Sequence, residues 1–243
     1  MSGGDPGAIL FDLDGTLIAT RRLYLEAFAD ALEPVLGHRP SHEEMMARRP
    51  RAEVRFLEEV GGTLEHAGVM TRFYAAYARR HTEDFEGIYP GVPELLGALR
   101  AQAVPLGMVT GKSRRAWEIT RNHVESHLGS FDAQVFDDDV PAPKPDPTGI
   151  RLALAALGAN PRTSWYVGDT ASDLEAACRA GLTPVGVLWS KRPHERGPFR
   201  KLAHDLGGRA PETPRDLLLA LREDGALRPL SSSAPGLRSP SSS

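Results

Sequence analysis

The run Ala8-Ile9-Leu10-Phe11-Asp12-Leu13-Asp14-Gly15-Thr16-Leu17 decides how this chain is read. Four apolar residues in succession stop at an acid, a second acid follows two positions on, and a glycine comes next. A continuous apolar run of this length marks a strand buried on both faces, and such strands build parallel sheets. Four more short apolar runs follow: Leu106-Gly107-Met108-Val109, Ala133-Gln134-Val135-Phe136, Trp165-Tyr166-Val167 and Val185-Gly186-Val187-Leu188. Helical patterns come after most of them. One opens at the N-cap candidate Ser113 and runs to Glu125, another spans Pro147 to Leu157 and ends at Gly158, and a third spans Ser172 to Ala180 and ends at Gly181. Strands alternating with helices predict an α/β fold, an open, doubly wound parallel sheet covered on both sides.

One interval departs from this rhythm. From Leu17 to about Ile88 there is no strand candidate, only helical stripes: Leu23, Ala27, Ala31 and Leu32; then Val54 and Leu57; then Phe73, Tyr74 and Tyr77. A crossover needs one helix, so the excess reads as an inserted helical cap. The expected organisation is a discontinuous core of residues 8–16 and 89–228 with a cap of residues 17–88. Residues 1–7 and the Ser/Pro/Gly-rich 229–243 read as flexible tails.

Composition narrows the class further. At 243 residues the chain is long enough for a full hydrophobic core, and its single cysteine, Cys178, suits a reducing, cytoplasmic compartment. A net charge of −3 argues against a dedicated nucleic-acid binder. The apolar runs are too short for a membrane span, and the N-terminus lacks a signal-peptide pattern. Lysine is scarce beside arginine and occurs only at Lys112, Lys144, Lys191 and Lys201. Oligomeric state is not legible in these features.

In parallel sheets of this kind, ligands bind at the carboxyl ends of the strands. The polar residues just after each run therefore converge on one edge: Asp12, Asp14 and Thr16; Thr110, Gly111 and Lys112; Lys144 within Pro143-Lys144-Pro145; and Asp169, Thr170 and Asp173. Asp12, Asp14 and Asp169 would repel one another without a cation among them, and a few hard oxygen ligands suit Mg²⁺. Thr110, with Gly111 beside it, and Lys144 can hold phosphoryl oxygens. Positioning and charge neutralisation are most of what phosphoryl transfer requires. Asp12 can attack phosphorus, and Asp14 can protonate the leaving group and then activate water.

On these residues the chain resembles the haloacid dehalogenase-like phosphatase superfamily. Phe11 to Leu17 matches its first motif, Thr110 the second, Lys144 the third, and Gly168-Asp169-Thr170-Ala171-Ser172-Asp173 the fourth. The motifs occur in family order, and the resemblance spans about Ala8 to Leu221. The insert resembles the small helical cap of phosphoglycolate-phosphatase-like members. The resemblance implies a Rossmann-like core and a Mg²⁺-dependent hydrolase of small phosphorylated metabolites, phosphoglycolate-like or pyrophosphate-like. It further implies Asp12 as nucleophile, Asp14 as acid/base and metal ligand through its carbonyl, and Asp169 as metal ligand, with Asp173 a ligand or an orienting group. Ala19-Thr20 stands where many phosphoglycolate phosphatases carry Asp-Ser, which bears on substrate and not on reaction. Lys112 is common to both kinds of relative.

Rival readings are separated by particular residues. No lysine lies between Leu17 and Ile88, which disfavours Schiff-base phosphonate cleavage, and Asp14 separates the chain from true dehalogenases. Thr16 leans towards a phosphatase over a β-phosphoglucomutase-like mutase. A catalytically retired binding module is the rival from another class. The insert carries Arg48, Arg49, Arg51 and Arg55 around Pro50, with Arg72, Arg79 and Arg80 further on; these read either as arginines decorating helix surfaces or, for Arg49 or Arg51, as a clamp on an anionic leaving group. Asp137, Asp138 and Asp139 read as a solvated loop, Cys178 as packed core, and the histidines as surface or supporting groups.

Overall fold

The computed structural model describes residues 7–47 and 52–227. Arg49 and Arg51, and the predicted tails apart from Gly7, lie outside these residues. The apolar runs form β1 (Ile9–Phe11), β2 (Leu106–Val109), β3 (Ala133–Val135), β4 (Trp165–Gly168) and β5 (Thr183–Gly186). They make one sheet in the order β3-β2-β1-β4-β5, with every pairing parallel. Ile9 sits opposite Leu106 on one side and Trp165 on the other, so β1 is central.

Successive residues of a strand face opposite sides, and both sides of this sheet are covered. Ile9, Phe11, Met108 and Val167 pack with α4 (Val92–Arg100), α5 (Arg114–Leu128) and α9 (Pro214–Glu223). Leu10, Val109 and Tyr166 pack on the other face with α6 (Thr148–Leu157) and α7 (Ala171–Ala180). That arrangement is the expected doubly wound α/β sheet. β5 begins at Thr183, earlier than the run Val185–Leu188 suggested. Pro184 interrupts the apolar pattern, but β5 ends the sheet order, where a missing N–H is tolerated.

The interval after β1 folds as α1 (Arg21–Leu36), α2 (His42–Ala47) and α3 (Glu53–Glu83). The two later stripes lie on the single helix α3, which runs through Gly61-Gly62. Each internal glycine costs about 1 kcal/mol, but no proline between positions 51 and 89 removes a helix donor. Leu23, Phe28, Phe56, Phe73 and Tyr77 form a cluster of their own, joined by Ala116 of α5. Leu17 and Ile18 pack with the sheet, and Ile18 bridges antiparallel to Ile88 at the base of the insertion.

Polar contacts fasten α3 to α5. The hydroxyls of Tyr77 and Thr120 lie 3.0 Å apart, and His81 Nε2 is 3.1 Å from the same Thr120 oxygen. Burial lowers the His81 imidazole to about 4, so it is neutral, and of the two expectations for the histidines it is an interior supporting group, not a surface one. Asp137 is also buried, in a 3-10 turn (Asp137–Asp139), with Arg55 Nε at 3.4 Å. The acidic run is therefore fastened rather than loosely solvated: Asp138 accepts the Arg114 backbone N–H, and Asp139 accepts the Arg114 guanidinium. Arg72 donates to the Ala31 carbonyl, and Arg79 and Arg80 both pair with Asp30, which accounts for those arginines structurally. Cys178 is half-buried on α7. Among the described residues no helix is long and apolar enough to cross a membrane.

Candidate active site

β1 lies between β2 and β4 because the chain builds outward on one side and then crosses to the other. This reversal opens a crevice at the carboxyl ends of the strands. Asp12 follows β1 directly, and its N–H donates to the Val167 carbonyl at 2.8 Å, which continues the ladder and delivers its carboxylate to that edge. The chain then turns tightly, with the N–H groups of Leu17 and Ile18 both returning to the Leu13 carbonyl. Gly15 takes φ +78° there, and a Cβ on it would lie 2.6 Å from Asp169 Oδ2. Only glycine permits both the backbone conformation and the close approach.

Each acid at this edge has a named partner. Asp12 Oδ1 accepts from Lys144 Nζ at 2.7 Å, and Lys144 also reaches Asp173 Oδ1 at 2.5 Å, the Tyr166 hydroxyl at 2.9 Å and the Val109 carbonyl at 3.3 Å. Asp14 Oδ1 accepts from Thr20 Oγ1 at 2.7 Å and lies 3.2 Å from Lys112 Nζ. Asp169 Oδ2 accepts from Lys191 Nζ at 2.9 Å. Three of the chain's four lysines thus meet at one edge, each opposite a motif aspartate. Thr110 lies among them, nearly buried, its hydroxyl accepting the Lys112 N–H at 3.2 Å.

Asp173 has a second task. It is the third residue of α7 and forms a capping box with Thr170, whose N–H donates to Asp173 Oδ2 at 2.9 Å. Burial alone would raise its carboxyl, but Lys144 and the Thr170 hydrogen bonds hold it below the ordinary range. Burial pushes the Asp12 carboxyl well up; Lys144 pulls against this, and the charges of Asp173 and Asp169 add to the rise. Burial also raises Asp169, against the pull of Lys191. Lys144 is held protonated far above its usual range, because Asp12 and Asp173 outweigh its desolvation.

One carboxylate oxygen from each of Asp12, Asp169 and Asp173 lies within 4.8 Å of the others. Three hard oxygens at that spacing, under mutual repulsion and partly closed over by the Gly15 turn, fit a small divalent cation. The Asp14 side chain turns instead to Thr20 and Lys112.

A cavity of about 630 Å³ opens over this edge, and Thr110, Gly111 and Lys144 line its floor. Leu25, Phe28 and Met46 line the side built by the insertion. Glu53, at the start of α3, also faces it: Oε1 accepts the Ser113 N–H at 2.5 Å and Oε2 the Tyr24 hydroxyl at 2.9 Å. Lys112 enters the same junction fully buried, donating to the hydroxyls of Tyr24 and Tyr77, both at 2.5 Å. Lys191, Glu53, Tyr24 and Tyr166 stand at or beside this edge but belong to none of the four sequence motifs. Lysine scarcity was the available signal for Lys191, whereas nothing local distinguishes the other three.

Glu53 makes a testable contribution to pH dependence. Burial raises its carboxyl to about 7, against the pull of Lys112. Between the ordinary carboxylate range and that value the folded chain holds a proton that the unfolded chain has lost, so stability falls as pH rises. A shift of this size corresponds to about 3 kcal/mol. Glu53→Gln is expected to remove that fall, measured by urea unfolding of both proteins at pH 5 and pH 8. Equal losses in the two proteins would assign the titration elsewhere.

The doubly wound sheet with an acid-rich carboxyl edge is a Rossmann-like α/β fold with a candidate active site at the strand ends. Residues 9–187 match the family model described as haloacid dehalogenase-like hydrolase. The chain belongs to that family and is an enzyme of its phosphatase class. It is 34% identical over 185 residues to the pyrophosphatase PpaX of Bacillus velezensis, a match covering 75% of this chain and 83% of that one. It is 31% identical over 195 residues to the phosphoglycolate phosphatase of Pseudomonas putida, covering 76% and 70%. The solved structure of a hydrolase from Pseudomonas syringae shares the fold, with a TM-score of 0.72 at 23% identity over 90% of this chain and 98% of that one.

Proposed function

We propose that this protein is a Mg²⁺-dependent phosphatase that hydrolyses a small phosphorylated metabolite through an aspartyl-phosphate on Asp12. The observation that carries the reading is the pairing at one edge of Asp12, anchored by Lys144, with Asp14, anchored by Thr20 and Lys112. Lys144 holds Asp12 Oδ1 and so aims the carboxylate at phosphorus. As Asp12 attacks, the bond from phosphorus to the leaving oxygen breaks and Asp14 gives that oxygen a proton. Asp14 then takes a proton from the water that releases phosphate and restores Asp12. Thr110, Gly111 and Lys144 bind the phosphoryl oxygens throughout. Mg²⁺, held by Asp12, Asp169, the Asp14 carbonyl and Asp173 directly or through water, would neutralise the clustered charge. The helical segment 17–88 caps the site and excludes bulk water from it.

The names of the two relatives put pyrophosphate and phosphoglycolate first among candidate substrates. The test is turnover of p-nitrophenyl phosphate, pyrophosphate, 2-phosphoglycolate, nucleotides and sugar phosphates by purified protein with Mg²⁺ and with EDTA. Hydrolysis that EDTA abolishes supports the reading, and transfer to a second hydroxyl would mark a mutase. No metal-dependent turnover of any of them would favour a binding module.

The arginines flanking Pro50 are proposed to clamp an anionic leaving group. Arg49→Ala/Arg51→Ala is then expected to raise KM for phosphoglycolate or pyrophosphate about tenfold, the loss of roughly one charge-assisted contact. An unchanged KM would remove both residues from the site.

A further inference from the structure

Lys191 is a cation at this edge that lies in none of the four motifs. It follows β5 in a loop where its own N–H donates to the Leu188 carbonyl at 3.1 Å and its carbonyl accepts from Arg196 Nε at 3.2 Å. Its ammonium lies 4.8 Å from the centre of the Phe199 ring on α8 (Pro193–Asp205) and 2.9 Å from Asp169 Oδ2. Both side chains of the pair are only 15% exposed, so solvent screens them weakly. The backbone bonds fix the loop that carries the lysine, and the Phe199 ring and Asp169 hold its ammonium in place.

Asp169 therefore faces two claims. Its carboxylate is one of the three grouped with Asp12 and Asp173, and one of its oxygens is already engaged by a nearly buried positive charge. A second cation bound to that carboxylate is repelled by the first. Resting on the metal-dependent reading above, we propose that Lys191 is a positioning residue that sets the divalent-cation affinity of the site downward. It does so by sharing Asp169 with the ion. In this role it keeps three lysines against four motif aspartates at the edge, so that the phosphate of a substrate meets less negative charge.

This differs in sign from a role as a mere strut. If Lys191 only held Asp169 in place, removing it would loosen a ligand and weaken metal binding. If it opposes the metal, removing its charge strengthens binding. Mg²⁺ titrations by isothermal calorimetry on the full chain, Lys191→Met and Lys191→Arg separate the two, with circular dichroism confirming that each variant is folded. The expected result is a Kd lowered about tenfold in Lys191→Met and restored towards that of the unmodified chain in Lys191→Arg. The rise in unfolding temperature on adding Mg²⁺ should be correspondingly larger for Lys191→Met. A Kd unchanged or raised in Lys191→Met overturns the proposal while leaving the phosphatase reading intact. Absence of Mg²⁺ binding by the unmodified chain overturns the metal-dependent reading itself, and this proposal with it.

Discussion

Asp12→Asn is expected to reduce Mg²⁺-dependent turnover of p-nitrophenyl phosphate by roughly 10⁴-fold or more, the scale seen when a nucleophile is removed from an otherwise intact site. The amide has the shape of the carboxylate and its oxygen can still accept from Lys144 Nζ, now 2.7 Å from Asp12 Oδ1. What it lacks is the negative charge that makes the carboxylate oxygen a nucleophile towards phosphorus. Because burial and neighbouring acids oppose ionisation of Asp12, the neutral amide should fold at least as stably in the absence of metal. The two measurements belong together: initial rates for activity and a thermal melt for fold. Activity within tenfold of the unmodified chain, in a protein that melts normally, would falsify Asp12 as the nucleophile.

Lys144→Met is expected to damage both stability and activity. Methionine keeps much of the aliphatic length but withdraws the ammonium from Asp12 Oδ1 and Asp173 Oδ1. Two nearly buried carboxylates, 5% and 1% exposed, are then left without their shared cation. Stranding a buried charge in this way typically costs about 3–5 kcal/mol, or roughly 10 °C of unfolding temperature for a chain of this size. The pH dependence has a definite sign. In the unmodified chain Lys144 keeps Asp173 ionised below its ordinary range, a contribution present above that range and lost only in strong acid. In the variant the carboxyls gain from protonation, so its stability rises as pH falls from 7 towards the ordinary carboxylate range near 4. The gap between the two proteins should be widest at pH 7 and narrower at pH 4.5, read from thermal melts in EDTA. A gap that stays constant would place the loss in packing rather than in charge. Turnover should fall with the anchor of Asp12, and it should not recover at the lower pH.

Much of this architecture is legible along the chain because its causes are local. Ala8 to Phe11 is apolar without a break since both faces of β1 are covered, and the same holds for Trp165 to Val167. Gly158 and Gly181 end their helices in the left-handed conformation that glycine adopts freely. Asp12, Thr110 and Asp169 follow strands directly and Asp14 comes two residues after Asp12, so naming the strands already puts them at one edge. The helical insertion was less legible in detail: two stripes that read as separate segments lie on α3, because Gly61-Gly62 weakens a helix without breaking it. The burial of Asp137 is not legible in its neighbours, because its partner Arg55 stands 82 positions away.

By itself, then, the order of residues determined the parallel sheet, the long helical insertion and the acids gathered at the carboxyl edge. Those follow from periodicity and from what immediately succeeds each strand. Only the tertiary structure decided which cation meets which acid: Lys144 with Asp12 and Asp173, Lys112 with Asp14, and Lys191 with Asp169. It alone carried Glu53 and Tyr24 to the rim of the cavity. The reason is physical. Secondary structure depends on neighbours a few residues apart, whereas charge pairing in a buried crevice acts over a few ångströms between side chains brought there by separate elements.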